Sequence, residues 1–122
     1  MPEVKKPVRT ETTTLPPREF VVDSGRTKIK IGKGHGLAII SGPCVIDSRE
    51  MIMTAARQLT ELSQKTGMPL IFKSSYEKDN RGTEKNWTGP MANEGLKILA
   101  EVRKEFGIPV LTDIHRHEDV DM

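Results

Sequence analysis

Apolar and polar positions along this 122-residue chain fall into blocks that repeat. From Gly36, "GLAIIS" is a short continuous apolar run, the pattern of a strand buried on both faces. After "GPCVI", Asp47 is placed to cap a helix, with Glu50 three positions on as in a capping box. Ile52, Ala55, Ala56, Leu59 and Leu62 then recur at helical spacing. Gly67 suits the residue after the last helical turn and Pro69 forbids continuation, so this helix is expected to end near Thr66. "PLIF" predicts a second strand. Further on, Asn93 is expected to cap a second helix whose Leu96, Leu99, Val102 and Phe106 share one stripe. Gly107 and Pro109 end it, and "PVLT" predicts a third strand.

The two returns from helix to strand, "TGMPLIF" and "FGIPVLT", are alike, with Gly67 and Gly107 in the same place. A repeated strand–helix unit makes a parallel sheet with helices outside it. Ahead of these units, Phe20–Val22 and Lys28–Ile31 flank Asp23-Ser24-Gly25 and predict a β-hairpin over 20–35. Residues 1–19, rich in Pro, Thr and charge, read as a disordered tail. The expected fold class is therefore α/β, with 36–122 as the first βα units of a larger architecture. A (β/α)8 barrel takes roughly 250 residues, and this chain holds about half of that.

Composition narrows the partners. Charged residues make up 30% and net charge is only +2, so no strong field recruits nucleic acid. Trp87, Tyr76, Phe20, Phe72 and Phe106 are too few and scattered for a stacking platform. The single cysteine, Cys44, excludes an internal disulfide. No apolar run reaches the roughly 20 residues of a membrane span. The N-terminus lacks the apolar core of a secretory signal, so a cytoplasmic location is expected.

Chemistry-bearing residues follow each predicted strand: Gly42-Pro43-Cys44, then Lys73-Ser74-Ser75, then Asp113 and His115. In parallel α/β folds the ligand site lies beyond the carboxyl ends of the strands. A lone cysteine is most often plain packing; at a strand end it is also a candidate metal ligand. Lys73 either snorkels to solvent or pairs with an anion. Asp113 and His115, two apart on an extended segment, project to one side. They read either as a hydrogen bond that holds a loop or as a general acid/base or metal-linked pair. His35 and His117 are expected at the surface.

The segment "KSSYEKDNRGTEKNWTGP" after the second strand is long, charged and punctuated by glycine. Such a loop costs much to order and is usually functional or disordered. A charge run is most often a solvated face. Yet Asn80-Arg81-Gly82-Thr83 has the parts of a phosphate clamp. The guanidinium grips phosphate bidentately, Gly82 lets the backbone approach, and Asn80 and Thr83 add neutral hydrogen bonds.

"SGPCVIDS", "FKSSYEKDNRGT" and "GLKILAEVRKEFGIPVLTDIH" resemble, in order and spacing, the N-terminal half of the 3-deoxy-D-manno-octulosonate 8-phosphate synthases. The resemblance runs from about Gly36 to His115, and the preceding hairpin is typical of that family too. It implies a (β/α)8 barrel, usually in a cytoplasmic homotetramer. The implied reaction condenses phosphoenolpyruvate with arabinose 5-phosphate and water, giving the eight-carbon sugar acid phosphate of lipopolysaccharide synthesis and inorganic phosphate. It also implies catalytic roles for Lys73, Asp113 and His115. Lys73 and Lys78 would lie along phosphoenolpyruvate, Asn80 and Arg81 would hold the pentose phosphate, and Ser75 is a further substrate-binding residue. The family divides into metal-dependent members with Cys at the position of Cys44 and metal-independent members with Asn. Cys44 therefore implies a divalent ion such as Mn, Fe or Zn, which suits thiolate ligation better than magnesium does.

The sequence departs from that pattern in places. Arg116 stands where the family generally has Glu, Gly82-Thr83 replaces a Ser-Ser or Ser-Thr pair, and "WTGPM" replaces "RGPG". The family's remaining metal ligands would lie beyond Met122, and an open half-sheet exposes edges and apolar faces, so the chain alone is expected to fold poorly and to be inactive, as part of a longer protein. Two other readings stand beside the synthase: a heptulosonate phosphate synthase using another aldose phosphate, and a non-catalytic half-barrel that binds a partner.

Overall fold

The computed structural model describes residues 18–77 and 92–122. Strands β1 (Glu19–Asp23) and β2 (Lys28–Gly32) form an antiparallel hairpin in register from Glu19↔Gly32 to Asp23↔Lys28. Its turn closes locally: the Asp23 carboxylate accepts the Gly25 N–H at 2.7 Å, and the Ser24 N–H donates to the Thr27 carbonyl at 2.9 Å. Residues 1–17 of the expected tail lie outside the described residues. Glu19, expected as its last residue, instead opens β1 and meets His35 Nε2 at 2.6 Å.

The second unit is β3 (Ile39–Ser41), α1 (Arg49–Thr66), β4 (Leu70–Lys73), α2 (Ala92–Phe106) and β5 (Val110–Leu111), followed by a 3-10 helix at His117–Asp121. The sheet order is β3-β4-β5, all parallel, pairing Ile39↔Leu70 to Ser41↔Phe72 and Phe72↔Val110 to Lys73↔Leu111. The fold class is thus α/β as expected. Among the described residues, no helix is long and apolar enough to cross a membrane.

Both helix ends that the glycines predicted are in place. Gly67 and Gly107 take the left-handed conformation, with φ of 70° and 66°, which a side chain would strain. Their N–H groups reach back to the carbonyls of Ser63 and Arg103 at 2.9 and 3.0 Å. The N-termini differ from expectation. Ser48, not Asp47, caps α1, its hydroxyl accepting the Met51 N–H at 3.1 Å; Glu50 therefore falls one place short of a capping-box position. Asn93 lies inside the first turn of α2, because Ala92 before it is already helical and buried against the core.

The core joins α1 (Ile52, Ala56), α2 (Leu99, Val102) and β4 (Leu70, Phe72) with Ile46, Tyr76 and Ile108. Leu70, Ile71 and Phe72 are all buried, so β4 is covered on both faces. The apolar run of β3 is not: Ile39 is 39% and Ile40 56% exposed, and Leu111 of β5 is 43% exposed. Burial on both faces belongs to the central strand, and β3 and β5 are edges of this sheet.

The hairpin docks at the amino-terminal end of the sheet. The Ser24 hydroxyl donates to the Gly107 carbonyl at 2.8 Å, Arg26 donates to the Lys104 carbonyl at 2.9 Å, and Arg103 donates to the Ser24 carbonyl at 3.1 Å. The Lys104 carbonyl, in the last turn of α2, is thereby satisfied by the Arg26 cation at the negative end of the helix dipole, and the Gly107 carbonyl just past it by the Ser24 hydroxyl.

Candidate active site

The parallel strands deliver three exits to one end of the sheet, and hydroxyls lash these exits together. The Ser74 hydroxyl donates to the Pro43 carbonyl at 2.7 Å, and the Thr112 hydroxyl donates to the Ser74 carbonyl at 2.9 Å. The Ser75 N–H donates to the Cys44 carbonyl at 3.3 Å, and the Ile46 N–H to the Ser75 carbonyl at 2.9 Å, so pairing continues past β3 and β4. Ser74 and Ser75 are completely buried. The approach is so close that a Cβ on Gly42 would lie 1.9 Å from the Lys73 carbonyl oxygen. Only glycine fits there.

On this platform the structure brings together Lys73, Ser75, Asp113 and His115. The Lys73 ammonium donates to the Ser75 hydroxyl at 3.0 Å and lies 3.7 Å from Asp113 Oδ1. Asp113 Oδ2 is 3.4 Å from His115 Nε2. Burial pushes the Asp113 carboxyl up. The Ser75 hydroxyl, its own backbone N–H and the charges of Lys73 and His115 outweigh that and hold it below the usual carboxylate value. Asp113 therefore stays ionised through neutral pH, balancing Lys73.

Such a cluster has two chemical capacities. An arriving anion competes with Asp113 for Lys73, which at 3.7 Å is an ion-pair contact rather than a hydrogen bond. The Asp113–His115 pair can orient an imidazole for proton transfer.

The other expected residues fall elsewhere. Cys44 is exposed and reduced at the β3 exit, beside Ser75 through the backbone. Among the described residues, no three His, Cys, Asp or Glu side chains gather as metal donors, so Cys44 by itself does not make a metal site. Lys78, Asn80 and Arg81 lie outside the described residues. His35 sits on the hairpin with Glu19, and His117 is exposed at the start of the 3-10 helix.

Sequence reasoning missed Thr112, Tyr76 and Asp119. The Tyr76 hydroxyl donates to the Asp119 carboxylate and accepts the His115 N–H at 3.0 Å. Thr112 had a discoverable signal, since it follows β5 directly and precedes Asp113. Tyr76 and Asp119, far apart in sequence, had none.

Residues 7–122 match the DAHP synthetase I family. Curated relatives are named 2-dehydro-3-deoxyphosphooctonate aldolase. The one from Bordetella petrii is 48% identical over 91 residues, covering 75% of this chain and 32% of the relative. The one from Bordetella pertussis is 50% identical over 91 residues (75% and 31%), and that from Trichlorobacter lovleyi 49% over 92 residues (75% and 34%). The chain thus spans about a third of the length of the curated relatives it matches.

Proposed function

Since this chain belongs to the DAHP synthetase I family, we propose that it supplies the phosphoenolpyruvate-binding part of a (β/α)8-barrel synthase. The proposed reaction joins phosphoenolpyruvate, arabinose 5-phosphate and water, giving 3-deoxy-D-manno-octulosonate 8-phosphate and inorganic phosphate. The observation that carries the proposal is the Lys73–Asp113–His115 cluster at the strand exits, taken with the names of the relatives.

The physical problem is to hold two anionic substrates together against their repulsion and to stabilise charge developing at C2 of phosphoenolpyruvate. Lys73, exchanging Asp113 for substrate, meets the carboxylate or phosphate, with Ser75 holding the ammonium in place. Lys78 adds a second cation on the same substrate. Asn80 and Arg81 grip the pentose phosphate, and Asp113 and His115 manage protons at the reacting carbons. Cys44 is proposed as one thiolate ligand of a divalent Mn, Fe or Zn ion, which needs further donors beyond the described residues. A homotetramer in the cytoplasm is the proposed setting.

The family description favours a second reading, a heptulosonate phosphate synthase taking erythrose 4-phosphate. Phosphate release is to be assayed on a full-length protein that contains this chain, with phosphoenolpyruvate and each aldose, with manganese or zinc and with chelator. Release with arabinose 5-phosphate alone supports the first reading, and release with erythrose 4-phosphate alone the second. No release from the full-length protein with either, in any metal condition, would overturn both and leave the half-barrel that binds a partner.

A further inference from the structure

Tyr76 is completely buried, yet its hydroxyl serves two segments that are remote in sequence. It donates to Asp119 Oδ2 and accepts the backbone N–H of His115 at 3.0 Å. The His115 ring stands edge-on to the Tyr76 ring, centroids 5.2 Å apart and planes at 86°. Asp119, 6% exposed, carries this link into the 3-10 helix, where its other oxygen lies 3.5 Å from Arg116 Nε. Arg116 in turn lies 3.3 Å from Glu77, directly after Tyr76. Tyr76 and Glu77 at the exit of β4 are therefore tied to His115, Arg116 and Asp119 in the segment after β5. Gly95 of α2 leaves the space the tyrosine needs, since a Cβ there would lie 2.7 Å from Tyr76 Cβ.

The protonation states suit a fixed tie. Burial pushes the Tyr76 phenol up, and the Asp119 carboxylate raises it further, so it stays a donor. The Tyr76 hydrogen bond pulls Asp119 below the usual carboxylate value, against burial and together with Arg116. A phenol donating to a carboxylate is a charge-assisted bond, among the stronger kinds.

We propose that Tyr76 and Asp119 act as a positioning pair, fixing the backbone at His115 so that Asp113 and His115 stand beside Lys73. The inference deepens the synthase reading and rests on it only for the effect on turnover. Among the described residues, neither side chain bonds to Lys73 or Asp113. Their effect passes through the His115 N–H and the ring contact.

The test follows the Asp113 carboxyl by carbon NMR through an acid titration, with Lys73, Ser75 and His115 as the groups that face it. In Tyr76→Phe and Asp119→Ala, Asp113 is expected to titrate higher than in the parent, back towards the ordinary carboxylate range, because its cationic neighbours drift away. Asp119→Asn still accepts from the phenol, so Asp113 there should titrate as in the parent. An unmoved Asp113 in folded Tyr76→Phe and Asp119→Ala would overturn the proposal and leave the link a plain fold contact. Should Tyr76→Phe not fold, Asp119→Ala against Asp119→Asn decides. With an active enzyme, Tyr76→Phe should lower kcat on the order of 100-fold with KM for phosphoenolpyruvate little changed. Absence of turnover in the full-length parent protein would defeat the synthase reading without touching the titration.

Discussion

The two ends of the parallel sheet use similar residues for opposite purposes. At the amino-terminal end, Ser24, Arg26 and Arg103 direct their donors at backbone carbonyls, and each of those contacts closes within 3.1 Å. At the carboxyl end, Lys73, Asp113 and His115 face one another, and the Lys73–Asp113 and Asp113–His115 contacts stop at 3.7 and 3.4 Å. A guanidinium on a helix carbonyl is finished business, because nothing that arrives offers a better partner. An ammonium facing a carboxylate at ion-pair distance has a replaceable partner. The difference separates an end built to stay closed from one able to exchange.

The largest break in that comparison should come from Lys73→Ala. At the carboxyl end it should lower proposed synthase turnover by about 100- to 1,000-fold while the melting temperature barely moves, as steady-state kinetics and calorimetry would show. Loss of fold in this variant, with activity lost only in proportion, would put Lys73 in the structural class.

Next is Gly42→Ala, which sets a methyl group against the Lys73 backbone. Because backbone cannot swing aside, a loss of up to about 3 kcal/mol is expected in denaturant unfolding. A neutral result would mean that the β3 exit shifts freely, against the lashed platform.

Smaller again is Ser24→Ala at the opposite end. It removes the hydroxyl bonds to Gly107 and Thr27 and should cost about 1 kcal/mol, with affinity for phosphoenolpyruvate unchanged. A change in affinity would mean that the two ends are coupled.

The smallest effect is a response to acid. Asp113 and Asp119 both sit below their ordinary values in the folded protein. Their stabilisation is complete above about 3.9 and is lost as pH falls through the lower folded values. The Tyr76 phenol, raised when folded, loses its share only as pH rises from about 10. Amide shifts should therefore move at His115 before Gly107 as acid is added, and the reverse order would contradict the assignment of ends.

Much of this was legible in the chain itself. Gly67 with Pro69 and Gly107 with Pro109 marked both helix ends, because few residues tolerate a left-handed turn and none but proline so firmly stops a helix. The meeting of Lys73, Asp113 and His115 followed from the parallel topology, which sends every exit to one end. What failed was local choice between equals. Asp47 and Ser48 are both good caps, and one residue of helical phase decided for Ser48. Burial of β3 could not be read from its own apolar run, because burial depends on how many neighbours a strand has in the sheet. Tyr76 and Asp119 were invisible for another reason: their bond spans separate loops, and no periodicity records it.

Ser74 holds a last consequence. One buried residue gives its hydroxyl to the β3 exit and its carbonyl to the β5 exit while itself leaving β4. The three exits are thereby joined as a single rigid body, and folding itself sets their relative placement. A ligand arriving at that end meets a preorganised frame, so little of its interaction energy is diverted into ordering the frame.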